Sequence, residues 1–243
     1  MKTRLKEQFK KSLKSHPVLG SIIRNIYYLK MNRINRVIHG DNNTISYKSS
    51  ILSSVVFNVR GNGNKIEIKA GCILNNVAFN ILGNNHTIYI GKNCLCNKGG
   101  TITIVDNNCS LIIGEESTFN GVFSIALAES NSKIEIGRDC MFGDDIDILT
   151  SDFHSIIAQK SNQRINYAKN VAIGNHVWIG SHSILLKGTS VPENSVVSTG
   201  SVVTRPFKTK GIIIGGNPSM QLMAGITWSR ERIILNSNNS ILR

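Results

Sequence analysis

Between residues 173 and 203 an aliphatic side chain recurs at every sixth position: Ile173, Ile179, Leu185, Val191, Val197 and Val203. Four positions after each of the first five stands a small residue (Val177, Ser183, Thr189, Ser195, Ser201). One position before that stands a residue that tolerates left-handed backbone angles (His176, His182, Gly188, Asn194, Gly200). A period of six is neither the 3.6 of an amphipathic helix nor the 2 of a half-buried strand. It predicts a short strand and a corner, the aliphatic pointing inward and the small residue fitting inside near the bend.

The earlier chain repeats more loosely. Ile68, Ile90, Ile113 and Ile136 follow one another at 22, 23 and 23 residues, and the last three open similar phrases, Ile90-Gly91, Ile113-Gly114 and Ile136-Gly137. If three six-residue units close one triangular turn, these spacings read as a turn of eighteen with extra corner residues, stacked directly on one another. Cys72, Cys94, Ser117 and Cys140 each fall four residues after an aligned isoleucine, where a small buried side chain is wanted. Asn64, Asn85, Asn108 and Asn131 read as corner residues on the same logic. The five cysteines show no CxxC spacing, so neither a disulfide framework nor a zinc knuckle is indicated.

The repeat is absent at both ends. Leu5, Phe9 and Leu13, then Val18, Ile22, Ile26 and Leu29, have helical spacing across a Ser15-His16-Pro17 break, and predict two short helices within a basic segment, residues 1–38. Two roles fit it: a cap over the open first coil, or a basic amphipathic surface resting on an anionic membrane. Residues 39–216 carry the repeats, and 217–243 predict a short terminal helix, with Leu222, Met223, Ile226 and Ile233 packing back, followed by a polar tail.

The formal charge of +13 looks like a nucleic-acid signal, but ten of the 28 basic residues and only one of the 15 acidic ones lie in residues 1–36. A mildly basic body with one charged end lacks the continuous basic face of a duplex binder, so no nucleic-acid partner is expected. No run approaches the roughly 18 apolar residues of a membrane span, and no secretory signal is evident, which predicts a cytoplasmic protein, peripheral at the inner face of the membrane if the basic end docks there.

Regular hexads pause between Ile148 and Ile173, and residues 150–170 are expected to be extruded as a loop of which about seven residues exceed one coil. The loop contains Thr150-Ser151-Asp152-Phe153-His154-Ser155. Loops on a rigid scaffold concentrate catalytic groups, and an imidazole takes a proton near neutral pH. His154 is therefore the candidate general base. Asp152, two residues earlier, is the candidate orienting carboxylate, with a plain turn role as its alternative.

The hexad pattern resembles the left-handed parallel β-helix of the hexapeptide-repeat acyltransferases over about residues 40–216. In sugar acetyltransferases of that family a loop histidine precedes a Val-Trp-Ile-Gly-Ser segment by the interval found here, from His154 to Val177-Trp178-Ile179-Gly180-Ser181. The resemblance implies an all-β fold with added terminal helices, and acetyl transfer from acetyl-CoA to a sugar hydroxyl with His154 as base. It implies a coenzyme groove lined by Trp178, Gly180, Ser181, Ser198, Thr199, Gly200 and Thr204, with Asn217 beyond it. Arg205, Lys208, Lys210 and, less directly, Lys187 are candidates for the phosphates. The ending Gly216-Asn217-Pro218-Ser219-Met220 is similar to the family's Gly-Asn-Pro-Ala-Lys signature but has Met220 where that has a base. The resemblance further implies a homotrimer with sites between subunits and no metal. The basic N-terminus is compatible with an anionic glycan acceptor, such as a sialic-acid-containing capsule or lipopolysaccharide. Alternatives are an amino-sugar N-acetyltransferase, a non-catalytic coil, and a γ-type carbonic anhydrase using His154, His176 and His182 on a metal.

Overall fold

The computed structural model describes residues 31–47 and 49–233, and within them the chain winds as a parallel β-helix with three faces. The first face is a seven-stranded sheet running from Thr44–Ser46 through Lys65–Ile68, Thr87–Ile90, Ser110–Ile113, Lys133–Ile136 and Val171–Ile173 to Ser190–Val191. The second runs from Ile73–Asn75 through Met141–Phe142, Trp178–Ile179 and Val196–Val197 to Ile212–Gly216. The third runs from Val77–Leu82 through Val122–Leu127, Ile146–Leu149 and Ile184–Leu185 to Val202–Val203. The long strand Ile51–Arg60 bends from the second face into the third, with Ser54 at a φ of 57° at the bend, and so joins those two sheets.

The aligned isoleucines stack as the sequence predicts. Ile68 pairs with Ile90, Ile90 with Ile113, Ile113 with Ile136, Ile136 with Ile173 and Ile173 with Val191, all facing the core. The five hexad turn residues adopt left-handed angles, from 52° at His176 to 79° at Gly188, and the five small residues are buried. Large side chains stack one coil on the next: Phe57 on Phe79 at 4.7 Å, and Phe119 on Phe142 at 4.3 Å, close to the spacing of neighbouring strands.

The column of small residues does more than fit. Cys72, Cys94, Ser117 and Cys140 donate to the carbonyls of Gly91, Gly114, Gly137 and Gly174 in the coil above, at 2.9–3.2 Å. Those glycines follow the aligned isoleucines for a steric reason. A Cβ on Gly114 would stand 2.5 Å from the Arg138 nitrogen, and one on Gly174 2.5 Å from the Glu193 nitrogen. Of the four asparagines read as corners, Asn85, Asn108 and Asn131 have left-handed angles, whereas Asn64 is buried one column inward, where its side chain bonds to Asn43 and Gly83.

The ends differ from expectation. Residues 1–30, with the two expected helices, lie outside the described residues, and Arg33–His39, the end of the expected helical cap, is a strand parallel to Ile51–Arg60. The terminal helix is not formed where it should begin: Ser219–Ala224 is a strand antiparallel to Ile212–Gly216, and Leu222, Met223 and Ile233 are exposed rather than packed back. The last coil offers an unpaired backbone edge, and pairing it outweighs helical spacing of three apolar residues. No described helix is long and apolar enough to cross a membrane.

Candidate active site

The loop at residues 150–170 leaves the prism at the corner between the third and first faces. Ile148 pairs with Leu185, so this coil takes 37 residues where the next takes eighteen. The extrusion is larger than the expected seven residues because Ile148 and Ile173 lie on different faces, which adjoining coils bridge in as few as six. It is an arm with a short hairpin: Ile157–Ala158 pairs antiparallel with Gln163–Arg164, and the Ile165 nitrogen donates to the Ile156 carbonyl at 2.9 Å.

His154 lies on the outgoing limb. Phe153 precedes it with a φ of 60°, an angle few bulky residues adopt, and its nitrogen is held by Ser151 Oγ at 3.1 Å. The His154 nitrogen donates to the Asp152 carbonyl at 2.7 Å. The imidazole is exposed, and no described residue bonds to it. The Asp152 carboxylate is directed elsewhere, accepting from Asn166 Nδ2 at 2.7 Å and from Lys187 Nζ. The Lys187 hydrogen bond holds the Asp152 carboxyl below the usual carboxylate range, outweighing the upward push of partial burial. Lys187 is thereby engaged at the base of the arm, where it also donates to the Asn166 carbonyl at 2.8 Å.

The coenzyme candidates fall in three places. Trp178 lies outward on the second face between Met141 and Val196, 39% exposed. Gly180 and Ser181 turn the following corner, and Ser198, Thr199 and Gly200 turn it one coil above. The Gly200 nitrogen donates to the Ser181 carbonyl at 2.8 Å, and a Cβ on Gly180 would stand 2.5 Å from the Thr199 nitrogen. At this corner the two coils stack in backbone contact, with the exposed indole of Trp178 on the adjoining strand. Thr204, Arg205 and Lys208 follow the last third-face strand, all exposed; neither base has a carboxylate partner among the described residues, which suits phosphates. Lys210 bonds to Glu193 at 2.6 Å, and Asn217 sits exposed in the turn joining the two terminal strands.

His154 and this corner lie at opposite edges of the third face, about 20 Å apart at 3.3 Å per residue. The three histidines weighed for a metal stand one at each corner of the prism. His176 Nδ1 lies 2.6 Å from Asp139 Oδ2, and His182 Nδ1 lies 3.0 Å from Asp145 Oδ2. Among the described residues no three His, Cys, Asp or Glu side chains gather as a metal site would require.

Sequence reasoning missed Asn166, Arg164 and Glu129, which knit the base of the arm. Glu129 accepts from Ser151 Oγ at 2.7 Å and from Arg164 Nη2. Burial pushes the Glu129 carboxyl up, but these bonds outweigh it and leave it below its ordinary value. None of the three lies in a hexad register that would have drawn attention to it.

No family model matches the chain. In structure it is similar to the polysialic acid O-acetyltransferase OatWY, 30% identical, with a TM-score of 0.75 over 83% of this chain and 94% of that one. It is also similar to the polySia-specific acetyltransferase NeuO, 28% identical, with a TM-score of 0.58 over 83% of this chain and 90% of that one. Local sequence matches include the polysialic acid O-acetyltransferases of Neisseria meningitidis, 45% identical over 42 residues (17% of this chain, 20% of that protein), and of Escherichia coli O1:K1, 34% over 86 residues (35% and 28%). The first four curated relatives are matched over only 20–33% of their own length. The chain belongs to the hexapeptide-repeat acyltransferases, the class that its stacked coils and extruded arm define.

Proposed function

We propose that the protein transfers an acetyl group from acetyl-CoA to a hydroxyl of a sugar in a surface polysaccharide, with His154 as general base. The observation that carries this reading is the arm itself: a coil of 37 residues, 19 more than the next, roots its extra length with ionic contacts and leaves one imidazole unengaged and exposed. His154 takes the proton of the acceptor hydroxyl as that oxygen attacks the thioester carbonyl, and gives it to the departing sulfur as the C–S bond breaks. The products are an acetyl ester and the free thiol. Backbone N–H groups stabilise the oxyanion between the two steps.

An anionic acceptor of the polysialic type is favoured by the names of the relatives, both similar structures and two of the local matches. The basic N-terminal segment gives such a polymer, or an anionic membrane surface on the cytoplasmic side, something to meet.

A homotrimer follows from the same reading. A base and a coenzyme wall about 20 Å apart cannot share a proton and a thioester in one chain. A neighbouring subunit that brings its wall to this arm completes the site, and the arm offers Phe153, Ile156, Ile157, Ile165 and Tyr167, all exposed, for that contact. The test is an acceptor screen of charged and neutral glycans with acetyl-CoA, read by mass spectrometry. Equal activity on both, insensitive to salt, removes the electrostatic part of the reading.

A further inference from the structure

We infer that Asn166 is a positioning residue for the transfer reaction, the hub of a clamp that fixes the backbone at His154. This rests on His154 being the base.

Asn166 is 7% exposed, although its neighbours Ile165 and Tyr167 are 64% and 58% exposed. A buried amide is costly unless its polar positions are filled, and here all four are. Nδ2 donates to Asp152 Oδ2 and to the His154 carbonyl, each at 2.7 Å. Oδ1 accepts from the Ile156 nitrogen at 2.7 Å and from Arg164 Nε at 3.2 Å. One side chain therefore ties the outgoing limb at residues 152, 154 and 156 to the returning limb at 164 and 166.

The clamp is rooted in two coils. From the coil above, Lys187 reaches Asp152 and the Asn166 carbonyl. From the coil below, Glu129 takes Ser151 and Arg164. An extended surface arm would ordinarily sample many shapes. This one is held at the residue that needs accuracy and left exposed beyond it. With both peptide groups of His154 bonded, only its two side-chain torsions remain free to aim the ring. A misplacement of about 1 Å at a reacting group can cost about 10²-fold in rate, so the clamp acts on turnover, with no contact to the coenzyme wall. It also removes Lys187 from the phosphate-binding set.

Steady-state kinetics on the full-length protein, by thiol release with a sialic acid polymer as acceptor, test this. Asn166→Ala should lower kcat by about 10²-fold while leaving the KM for acetyl-CoA within about twofold. In a His154→Ala background the same change should add no loss, because a positioned group that is absent cannot be misplaced. Lys187→Met, which unroots the clamp without burying an unpaired amide, should lower kcat by about tenfold at unchanged acetyl-CoA KM, and decides the matter if Asn166→Ala does not fold. Wild-type kcat in the folded Asn166 variant, losses that multiply in the double variant, or a raised acetyl-CoA KM in the Lys187 variant each overturn the clamp. A His154→Ala protein that turns over normally overturns instead the assignment of the base.

Discussion

The imidazole of His176 lies flat on the indole of Trp228, ring centroids 4.3 Å apart and planes 10° from parallel. Trp228 Nε1 donates to the His176 carbonyl at 2.8 Å, and Arg230 reaches Asp139, Thr118 and the Cys140 carbonyl beside it. The segment after the last hairpin is thus strapped across the second face, next to Trp178, whose ring lies 6.1 Å from that of Trp228. Trp228→Ala should cost about 1–3 kcal/mol, seen as a lower thermal midpoint and faster proteolysis after residue 225. An unchanged midpoint contradicts a docked strap.

The strap also has a pH dependence of known sign. Burial pushes the Asp139 carboxyl up, but hydrogen bonds from His176 and Arg230 outweigh it and hold it below its ordinary value. A carboxyl lowered by folding contributes stability that is present above its unfolded pKa of about 3.9 and lost as pH falls through the folded value. Proteolysis of the strap should therefore accelerate below about pH 4, and Asp139→Asn should remove that dependence.

A second acid sensitivity lies in the core. His86 is buried between Asn64 and Cys109, and burial lowers its pKa. For a base lowered by folding, the unfolded chain binds the proton more readily, so stability is full above about pH 6.5 and declines as pH falls through the folded value. Urea midpoints measured from pH 7.5 to 5 should fall, and less so in His86→Asn. Equal slopes for both proteins contradict the assignment.

Glycine in the repeat separates two physical demands. Gly174→Ala puts a Cβ 2.5 Å from the backbone of the next coil and should cost several kcal/mol or prevent folding. Gly200→Ala meets nothing within 4 Å and carries only the strain of a φ of 72°, about 1–2 kcal/mol. Thermal midpoints of the two variants check the order.

The proposed division of the site between subunits predicts complementation. His154→Ala and Trp178→Ala proteins, each inactive alone, should regain about one quarter of wild-type activity when co-expressed in equal amounts, the share of interfaces at which both residues are intact. Mixed oligomers without recovery place both groups in one subunit.

The coils were legible because each position in a hexad answers to one local constraint. Ile173 must point inward, Ser183 must be small, and His176 must accept a left-handed angle, and all three do so. What was not legible depends on neighbours distant in sequence. Leu222, Met223 and Ile226 have helical spacing, yet the open edge of Ile212–Gly216 draws the start of that segment into a strand. Asp152 stands two residues from His154, yet a lysine 35 residues on takes its carboxylate. Trp178, one position before the inward-facing Ile179, faces outward as strand alternation requires, while the strap beside it has no signature in the repeat.

In the proposed reaction His154 moves the acceptor proton during acetyl transfer. Mass spectrometry of a sialic acid oligomer incubated with acetyl-CoA and either the wild-type or the His154→Ala protein tests it most directly. Acetyl esters are expected from the wild type, and a rate about 10²–10⁴-fold lower from a variant with an unchanged thermal midpoint. Equal acetylation by the two proteins contradicts it.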